Sequence, residues 1–249
     1  MLKPLSRAAT LVAGLAAVAS NAFALGGGDI AFTSFNANED GFAIVALVDI
    51  APNTTVFFTD NEWNGSAIGS GGAFNTGESY SQWLSGAAVI PAGTVVRFSN
   101  VDNATTLAAS FGSFSRATVT GSANWGISAT ADAIYAFQGS SVTAPSVVLA
   151  AVSSDATASL ANLGAGVNTV QLPAATLFSE YAGPRAGQTS FAGYVPTLTN
   201  AANWTPSVAG ATAVPNTTAF TVSVVPEPGT YAMMFVGLAA LGFIARRRA

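Results

Sequence analysis

The stretch Phe42–Val48 reads Phe-Ala-Ile-Val-Ala-Leu-Val, and it is apolar at every position. Successive side chains of a β-strand point to opposite faces, so a run of this length without polar alternation predicts a strand covered on both sides. Turn-forming residues bound the run, with Asn38–Gly41 before it and Ala51–Asn53 after it. A central strand of a sheet is therefore the first element that the sequence predicts.

Similar runs recur along the chain and favour β structure throughout. They are rich in β-branched and aromatic residues, have the length of strands, and comprise Thr54–Thr59, Thr94–Ser99, Ile134–Gln138, Val147–Val152 and Ala219–Val225. Turn residues such as Asn64-Gly65 and Pro91-Ala92-Gly93 separate them. No long stretch has the periodicity of an amphipathic helix. We predict an all-β fold, an antiparallel β-sandwich, over residues 25–225.

The composition supports a folded body and removes several kinds of chemistry. Of 249 residues, 50% are hydrophobic, 8% are charged and 16 are phenylalanine, which suits a packed core better than disorder. Cysteine and histidine are both absent, which excludes disulfides, thiol nucleophiles, Ser-His-Asp triads and histidine zinc sites. We expect no catalytic residue, no cofactor and no metal ion, and we predict that the chain is not an enzyme.

Charge is distributed unevenly along the chain. Five of the eight basic residues lie near the two ends, whereas residues 25–225 contain three arginines against eleven acidic residues, a net charge of −8. An acidic body repels phosphate backbones, which argues against nucleic acid as a partner. Cations and neutral glycans remain compatible with this charge.

The N-terminal residues 1–24 follow the pattern of a secretory signal peptide. Lys3 and Arg7 precede an apolar run of alanine, leucine and valine, and Ala22 and Ala24 fit the small residues of a cleavage site. We predict a signal helix that directs the chain to the Sec export machinery and is then removed. An ordinary buried helix is the alternative interpretation.

Residues 226–249 form a second terminal signal. They begin with Pro226-Glu227-Pro228, continue with an apolar run of 15 residues and end with Arg246, Arg247 and Arg248. At about 1.5 Å per residue this run spans roughly 22 Å of a roughly 30 Å hydrocarbon core, so it predicts a transmembrane helix of marginal length. The arginines belong on the cytoplasmic side, which leaves the body outside. An amphipathic surface helix is the alternative.

This order of elements at the extreme C-terminus resembles the PEP-CTERM protein-sorting signal of Gram-negative bacteria. The resemblance implies that Pro226, Glu227 and Pro228 are recognised by an exosortase-type membrane protease. It also implies anchoring in the inner membrane during sorting, a final place at the cell surface or outside it, and bacteria that make exopolysaccharide or biofilm. A marginal span after a stiff Pro-Glu-Pro segment suits a transient anchor that is later cut.

Two acidic segments are candidates for binding or catalysis. Asp60, Asn61 and Glu62, with Asn64 close by, form the densest group of oxygen-bearing side chains. They could hold calcium, which prefers oxygen ligands, or form a solvated turn, the interpretation that we favour. Asp60 and Glu62 could also be the paired carboxylates of a glycoside hydrolase. The segment Asn38–Gly41 is similar and predicts a hairpin turn.

The four tryptophans, Trp63, Trp83, Trp125 and Trp204, have polar neighbours in the sequence. Exposed indole rings could stack on sugars and make the body a glycan-binding module. Tryptophan at the edge of a sandwich more often closes the core with its N–H hydrogen-bonded nearby, and we favour that interpretation.

The segments Ile30–Asn36 and Phe57–Trp63 resemble lamin-tail-type β-sandwich modules of exported bacterial proteins. The resemblance implies an immunoglobulin-like or lamin-tail-like sandwich with an interaction role, and it carries no site residue. We therefore expect an exported protein with a structural or adhesive role, with exopolysaccharide as a possible partner. A glycan-binding module and a carboxylate-based glycoside hydrolase are the alternatives.

Overall fold

The computed structural model describes residues 24–207, 213–223 and 236, and two six-stranded β-sheets dominate them. The strands are β1 Ile30–Asn36, β2 Gly41–Ala46, β3 Thr55–Thr59, β4 Tyr80–Leu84, β5 Val95–Ser99, β6 Ala108–Ala109, β7 Ser113–Arg116, β8 Ala133–Ser141, β9 Ala144–Ser153, β10 Asn168–Gln171, β11 Phe178–Tyr181 and β12 Trp204–Ser207. A short helix, α1 Val195–Leu198, lies between the 3₁₀ turns Phe191–Tyr194 and Ala201–Asn203.

The strands form a sandwich of two sheets. The first sheet has the order β12-β11-β1-β2-β5-β6, and the second has the order β10-β9-β8-β3-β4-β7. All neighbouring strands are antiparallel except β9 and β10, which run parallel with Asn168 opposite Ala150. Residues 154–167 provide the long connection that parallel neighbours need. The prediction of an all-β fold is confirmed, and purely antiparallel pairing is wrong for this one pair.

Phenylalanines fill the space between the two sheets. Phe42 of β2 stacks on Phe98 of β5 with 4.9 Å between ring centroids, and it meets Phe58 of β3 at 4.8 Å. Phe114 of β7 lies 4.9 Å from Phe98. Because these contacts join strands of both sheets, the sandwich has one aromatic core. All six residues of β2 are buried, which confirms a strand covered on both sides, but the strand ends at Ala46 and Val48 of the predicted run is exposed.

The second sheet is covered on its outer face by loops. Tyr135 and Phe137 of β8 alternate with residues of the common core, so their side chains point away from it. They belong to a second apolar cluster, to which the loops 61–76 and 155–167 contribute Trp63 and several aliphatic side chains. The central part of this sheet's outer face is therefore apolar and buried, whereas Ser113 and Ser115 of the edge strand β7 are exposed.

The first sheet is also covered on its outer face. Because Phe42 points toward the second sheet, Ala43 and Val45 point away from it, and both are fully buried. The helical segment 191–203 and residues 213–223 pack against this sheet and add aromatic and aliphatic side chains to the core.

Four of the predicted strands are found close to their predicted positions. Those at 54–59, 94–99, 134–138 and 147–152 correspond to β3, β5, β8 and β9. The strand predicted at Ala219–Val225 is wrong in its described part, because Val222 forms one isolated bridge with Gln188 and the residues around it are not in a strand.

Most of the two predicted terminal signals cannot be placed. The residues Ala22, Pro226, Glu227, Pro228, Arg246, Arg247 and Arg248 lie outside the described residues. Ala24 of the predicted cleavage site is described, and it is exposed. Nothing among the described helical segments has the length and apolar character that spanning a lipid bilayer needs. The predicted C-terminal transmembrane helix stays a prediction.

Candidate functional site

Asp60 follows β3 and is buried at one end of the sandwich. Its Oδ1 accepts hydrogen bonds from the Ser79 N–H at 2.6 Å and from the Ser79 Oγ at 2.7 Å. The side chain lines a cavity of ≈ 10 Å³ beside Phe42 and Phe58, which has room for about one water molecule. Burial raises the pKa of Asp60 to about 7, although the hydrogen bonds from Ser79 lower it.

The other members of the predicted oxygen group have different partners. Asn61 is fully buried and donates to the Ser79 carbonyl at 3.0 Å. Glu62 is exposed and accepts from Asn75 Nδ2 at 2.7 Å, while Asn64 bonds to the backbone of its own loop. Among the described residues, no group of three acidic side chains could hold a metal ion. These residues hold a turn, as we favoured, but half of that turn is buried and not solvated.

Asp60 and Glu62 do not face one cleft. Asp60 is 4% exposed and lies between the two sheets, whereas Glu62 lies in an exposed loop. A glycoside hydrolase needs its two carboxylates on either side of the scissile bond, in a cleft that admits the sugar. The pair that the sequence suggested for such an enzyme does not form this arrangement.

A second buried acid, Asp132, is one that the sequence did not single out. Its Oδ2 accepts from the Ser128 N–H at 2.6 Å, and its Oδ1 accepts from the Ala133 N–H at 2.7 Å. Burial raises the pKa of Asp132 to about 8, and the charges of Asp60 and Glu78 raise it as well. Asp132 thus fixes the loop before β8 and is coupled electrostatically to Asp60.

Three of the four tryptophans are buried, so the alternative of exposed, sugar-stacking rings is wrong for them. Trp83 is 0% exposed, and Trp204 is 5% exposed. Their indole N–H groups donate to the carbonyls of Phe111 and Leu198, each at 2.8 Å. Trp63 is 2% exposed and packs in the cluster on the second sheet. The core interpretation is confirmed for Trp83 and Trp204, whereas Trp63 is buried but its indole N–H has no hydrogen-bond partner among the described residues.

Trp125 is the tryptophan that keeps a partly exposed ring. The guanidinium of Arg116 lies 4.6 Å from the centre of the ring, within the range of a cation–π contact. Arg116 is fixed in this position because its Nη2 donates to the Val101 carbonyl at 2.9 Å. One face of the indole is therefore occupied by the protein itself.

The segment Asn38–Gly41 forms the predicted hairpin turn between β1 and β2. Asn36 Oδ1 accepts the N–H of Asn38 at 3.1 Å and the N–H of Glu39 at 3.2 Å. Asp40 has a left-handed backbone with φ 52°, and Glu39 forms an ion pair with Arg97 of β5. Glu39 thus connects the turn to β5, and the Asp40 carboxylate accepts the N–H of Ile127.

Residues 213–223 form a segment that we call the C-terminal strap. Near its start, Asn36 Nδ2 donates to the Ala213 carbonyl at 3.0 Å. Near its end, the Phe220 N–H donates to the Gly93 carbonyl at 2.8 Å. Asn36 ends β1 and Gly93 lies just before β5, so the strap runs along the length of the first sheet.

Phe220 anchors the strap. Its side chain is 2% exposed, and its ring lies 5.7 Å from that of Tyr181 in a stacked arrangement and 5.0 Å from that of Tyr194 edge to face. The guanidinium of Arg185 lies 4.9 Å from the centre of the same ring, and its Nη1 donates to the Thr218 carbonyl at 2.8 Å. Arg185 thus holds both the ring and the backbone of the strap.

Backbone hydrogen bonds continue to the last residue of the strap. The Thr221 N–H donates to the Arg185 carbonyl at 2.8 Å, and the Tyr194 hydroxyl donates to the Thr221 carbonyl at 2.5 Å. The Ser223 N–H donates to the Gln188 carbonyl at 2.8 Å. The chain is therefore held to the sandwich as far as Ser223.

Gly93 allows the strap to approach the sandwich closely. It has a left-handed φ of 88°, and a Cβ at this position would lie 2.3 Å from the Phe220 carbonyl oxygen and 2.6 Å from the ring of Phe191. Any side chain here would push the strap away, so the contact depends on glycine.

A family model of the PEP-CTERM protein-sorting motif matches residues 224–248. The chain carries a PEP-CTERM motif. This match confirms the resemblance that the tail suggested. It supports the interpretation that the protein is exported, sorted to the surface and processed by an exosortase-type membrane enzyme. None of the curated proteins and none of the solved structures matches the chain.

The PEP-CTERM motif begins directly after the strap, because residue 224 follows Ser223. The sequence revealed the motif, since its order of residues is linear and needs no fold. It did not reveal the strap, whose partners Tyr181, Arg185 and Tyr194 lie in another part of the chain. The one available signal, the pattern Ala219–Val225, was interpreted as a strand.

Proposed function

We propose that this chain is a non-enzymatic surface or extracellular-matrix protein whose β-sandwich has a structural or adhesive role in exopolysaccharide or biofilm. The observation that carries the proposal is the PEP-CTERM motif at residues 224–248, which continues without a spacer from an all-β body. The motif accounts for the localisation of the protein, and the body provides the surface that contacts partners there.

The use of polar side chains inside the body supports this role. Asp60 and Asp132 accept backbone N–H groups, and Glu39 pairs with Arg97. The cavity beside Asp60 has room for about one water molecule, too little for a substrate. We propose that contacts with a partner are made by exposed loops of the sandwich.

The exposed surface suits a hydrated polymer as its partner. The loop 102–106, Asp-Asn-Ala-Thr-Thr, is exposed throughout, and residues 25–225 have a net charge of −8. Amide and hydroxyl groups exchange hydrogen bonds with sugar hydroxyls, and carboxylates attract divalent cations that can bridge to acidic polysaccharide. Such a surface gives many weak contacts.

Replacing Pro226, Glu227 and Pro228 together with alanine tests the sorting part of the proposal. The variant should keep its C-terminal tail in mass spectra of the mature protein, and less of it should reach the cell surface. Glu62→Ala, a change of an exposed acid in the body, is the control and should be processed normally. Normal processing of the triple variant would contradict an exosortase-type enzyme as the partner.

Deletion of the gene tests the structural role. We expect the matrix of the deletion strain to retain less polysaccharide under shear, and expression of the intact chain to restore it. Expression of the triple-alanine variant should not restore it. A deletion strain with a matrix as cohesive as that of the parent would contradict the role.

The glycan-binding alternative now depends on Trp125, because the other three tryptophans are buried. Tryptophan fluorescence titrated with the organism's own exopolysaccharide should change in the wild type and lose that change in Trp125→Phe if the ring stacks on sugar. A titration without any change would count against this alternative and leave the structural role in place.

A further inference from the structure

We propose that the strap is an autoinhibitory contact for sorting: the exosortase-type enzyme gains access to the PEP-CTERM motif only after residues 220–223 have detached from the sandwich. The inference rests on the processing of the motif and adds a step that the folded body controls. The distance between body and motif, the bonding of the intervening backbone and the shallow anchoring of the strap support it.

The folded body stands close to the motif. Val224 and Val225 separate Ser223 from Pro226, and three residues of extended chain reach at most about 11 Å. A domain of roughly 200 residues has a radius of gyration of about 16 Å. While Ser223 is docked, the radius of the body therefore exceeds the distance from Ser223 to Pro226. An enzyme at the membrane that approaches Pro226 would collide with the body.

The backbone groups next to the motif are already bonded to the sandwich. The Thr221 N–H and carbonyl are bonded to Arg185 and Tyr194, and the Ser223 N–H is bonded to Gln188. Proteins that bind an extended peptide commonly pair with these same main-chain groups. An enzyme that pairs with the main chain of residues 221–223 would compete with the sandwich for the same N–H and carbonyl groups.

The strap can detach without unfolding the sandwich. Within residues 213–223 only Pro215 and Phe220 are buried, and Val214 is 67% exposed. The strap joins its neighbour through one isolated bridge, between Val222 and Gln188, and not through a ladder. Segments with few buried contacts and exposed hydrogen bonds open more readily than the core.

A reversible lock in the full-length protein tests the proposal. Gln188→Cys combined with Val222→Cys places two thiols at bridge partners, which lie close enough for a disulfide, in a chain without other cysteines. Pulse-chase labelling in cells follows the loss of the precursor, and thiol alkylation reports the state of the disulfide. We expect the oxidised variant to be processed several-fold more slowly than the wild type, and a reductant to restore the rate.

The single variants Gln188→Cys and Val222→Cys are the matched controls, because neither can form the internal disulfide. Both should be processed at the wild-type rate under oxidising and reducing conditions. Wild-type processing of the oxidised double variant would overturn the proposal.

The variant Phe220→Ala tests the opposite direction. Loss of the anchor should speed conversion of the precursor several-fold, whereas Phe57→Ala, a buried ring on the outer face of the second sheet, should not. Equal acceleration by both would indicate general unfolding and overturn the proposal. If instead the wild type is not processed at all, the function proposed above fails, and this outcome is distinct from failure of the lock.

Discussion

The two sheets bury their outer faces in different ways. The loops 61–76 and 155–167 cover the second sheet, and each of them connects two parts of the body. Phe74 lies 5.0 Å from the ring of Trp63 and 4.9 Å from that of Phe137, so the cover is joined to the sheet by repeated aromatic contacts. This cover belongs to the cooperative fold.

The first sheet is covered in part by the strap, which is held by one buried ring, that of Phe220, and continues into the PEP-CTERM motif. In our proposal the cover of the second sheet is permanent, whereas the strap over part of the first sheet is removable. The difference is in the number of buried side chains and not in the kind of contact.

The largest effect is expected from Phe137→Ala, which removes a fully buried ring under the permanent cover. Truncation of a buried phenylalanine costs about 3–5 kcal/mol of unfolding free energy. Urea denaturation followed by tryptophan fluorescence should show this loss in a single transition. A loss below about 1 kcal/mol would place the cover outside the cooperative fold.

A change of pH should alter the stability of the region around Asp60 and Asp132 and leave the strap docked. Asp60 and Asp132 have pKa values of about 7 and about 8 in the folded protein, above their ordinary value. The folded state therefore holds these protons more tightly than the unfolded state, so their stabilising contribution is complete near pH 4 and is lost as the pH rises through 7 to 8. Unfolding free energy should therefore fall steadily from pH 5 to pH 8.

The variant Asp60→Asn should weaken this pH dependence without removing it, because an amide does not ionise in the range whereas Asp132 still does. Asp102→Asn, a change of an exposed acid, is the control and should keep the wild-type slope. If the unfolding free energy rises from pH 5 to pH 8, the pKa values of Asp60 and Asp132 are not raised by folding.

A smaller effect is expected from Phe220→Ala. Because the strap can detach locally, removal of the Phe220 ring should lower the unfolding free energy by about 1–2 kcal/mol. This is less than the effect of truncating a ring in the core. Amide hydrogen exchange should become faster at Thr221 and Ser223 and stay unchanged in β8. Faster exchange in both regions would mean that the strap and the second sheet unfold together.

The smallest effect is expected from Arg185→Ala, which removes the cation over the ring of Phe220 and the bond to Thr218. A partly exposed cation–π contact contributes about 0.5–1 kcal/mol. Exchange at the strap should increase slightly, whereas Arg116→Ala, which removes the comparable contact with Trp125, should leave it unchanged. Equal effects of both variants would contradict a local role for Arg185.

The strands that the sequence predicted are those with a continuous apolar or β-branched pattern, such as Phe42–Val48. The apolar pattern did not reveal β4 or β7. Their sequences are Tyr-Ser-Gln-Trp-Leu and Ser-Phe-Ser-Arg, in which polar residues interrupt the apolar run. The parallel pairing of β9 and β10 could not be predicted either, since a strand's own residues do not specify the direction of its neighbour.

The candidate sites follow the same rule. The PEP-CTERM motif was predicted because it is a short linear pattern, whereas the burial of Asp60 depends on Ser79, which lies directly before β4. The sequence around Asp60 looks like a solvated turn because it does not contain this partner. The pocket for Phe220 likewise combines residues that are far from it in the chain.

Within the residues that the structure describes, the four edge strands of the sandwich are all short. The strand β6 has two residues, and β7, β10 and β12 have four each, with Pro206 in the last of them. Long, flat edges are where β-proteins pair with one another, and proline removes a donor that such pairing needs. We therefore expect many copies crowded together on a cell to stay dispersed, because none of these edges is long enough to template a fibre.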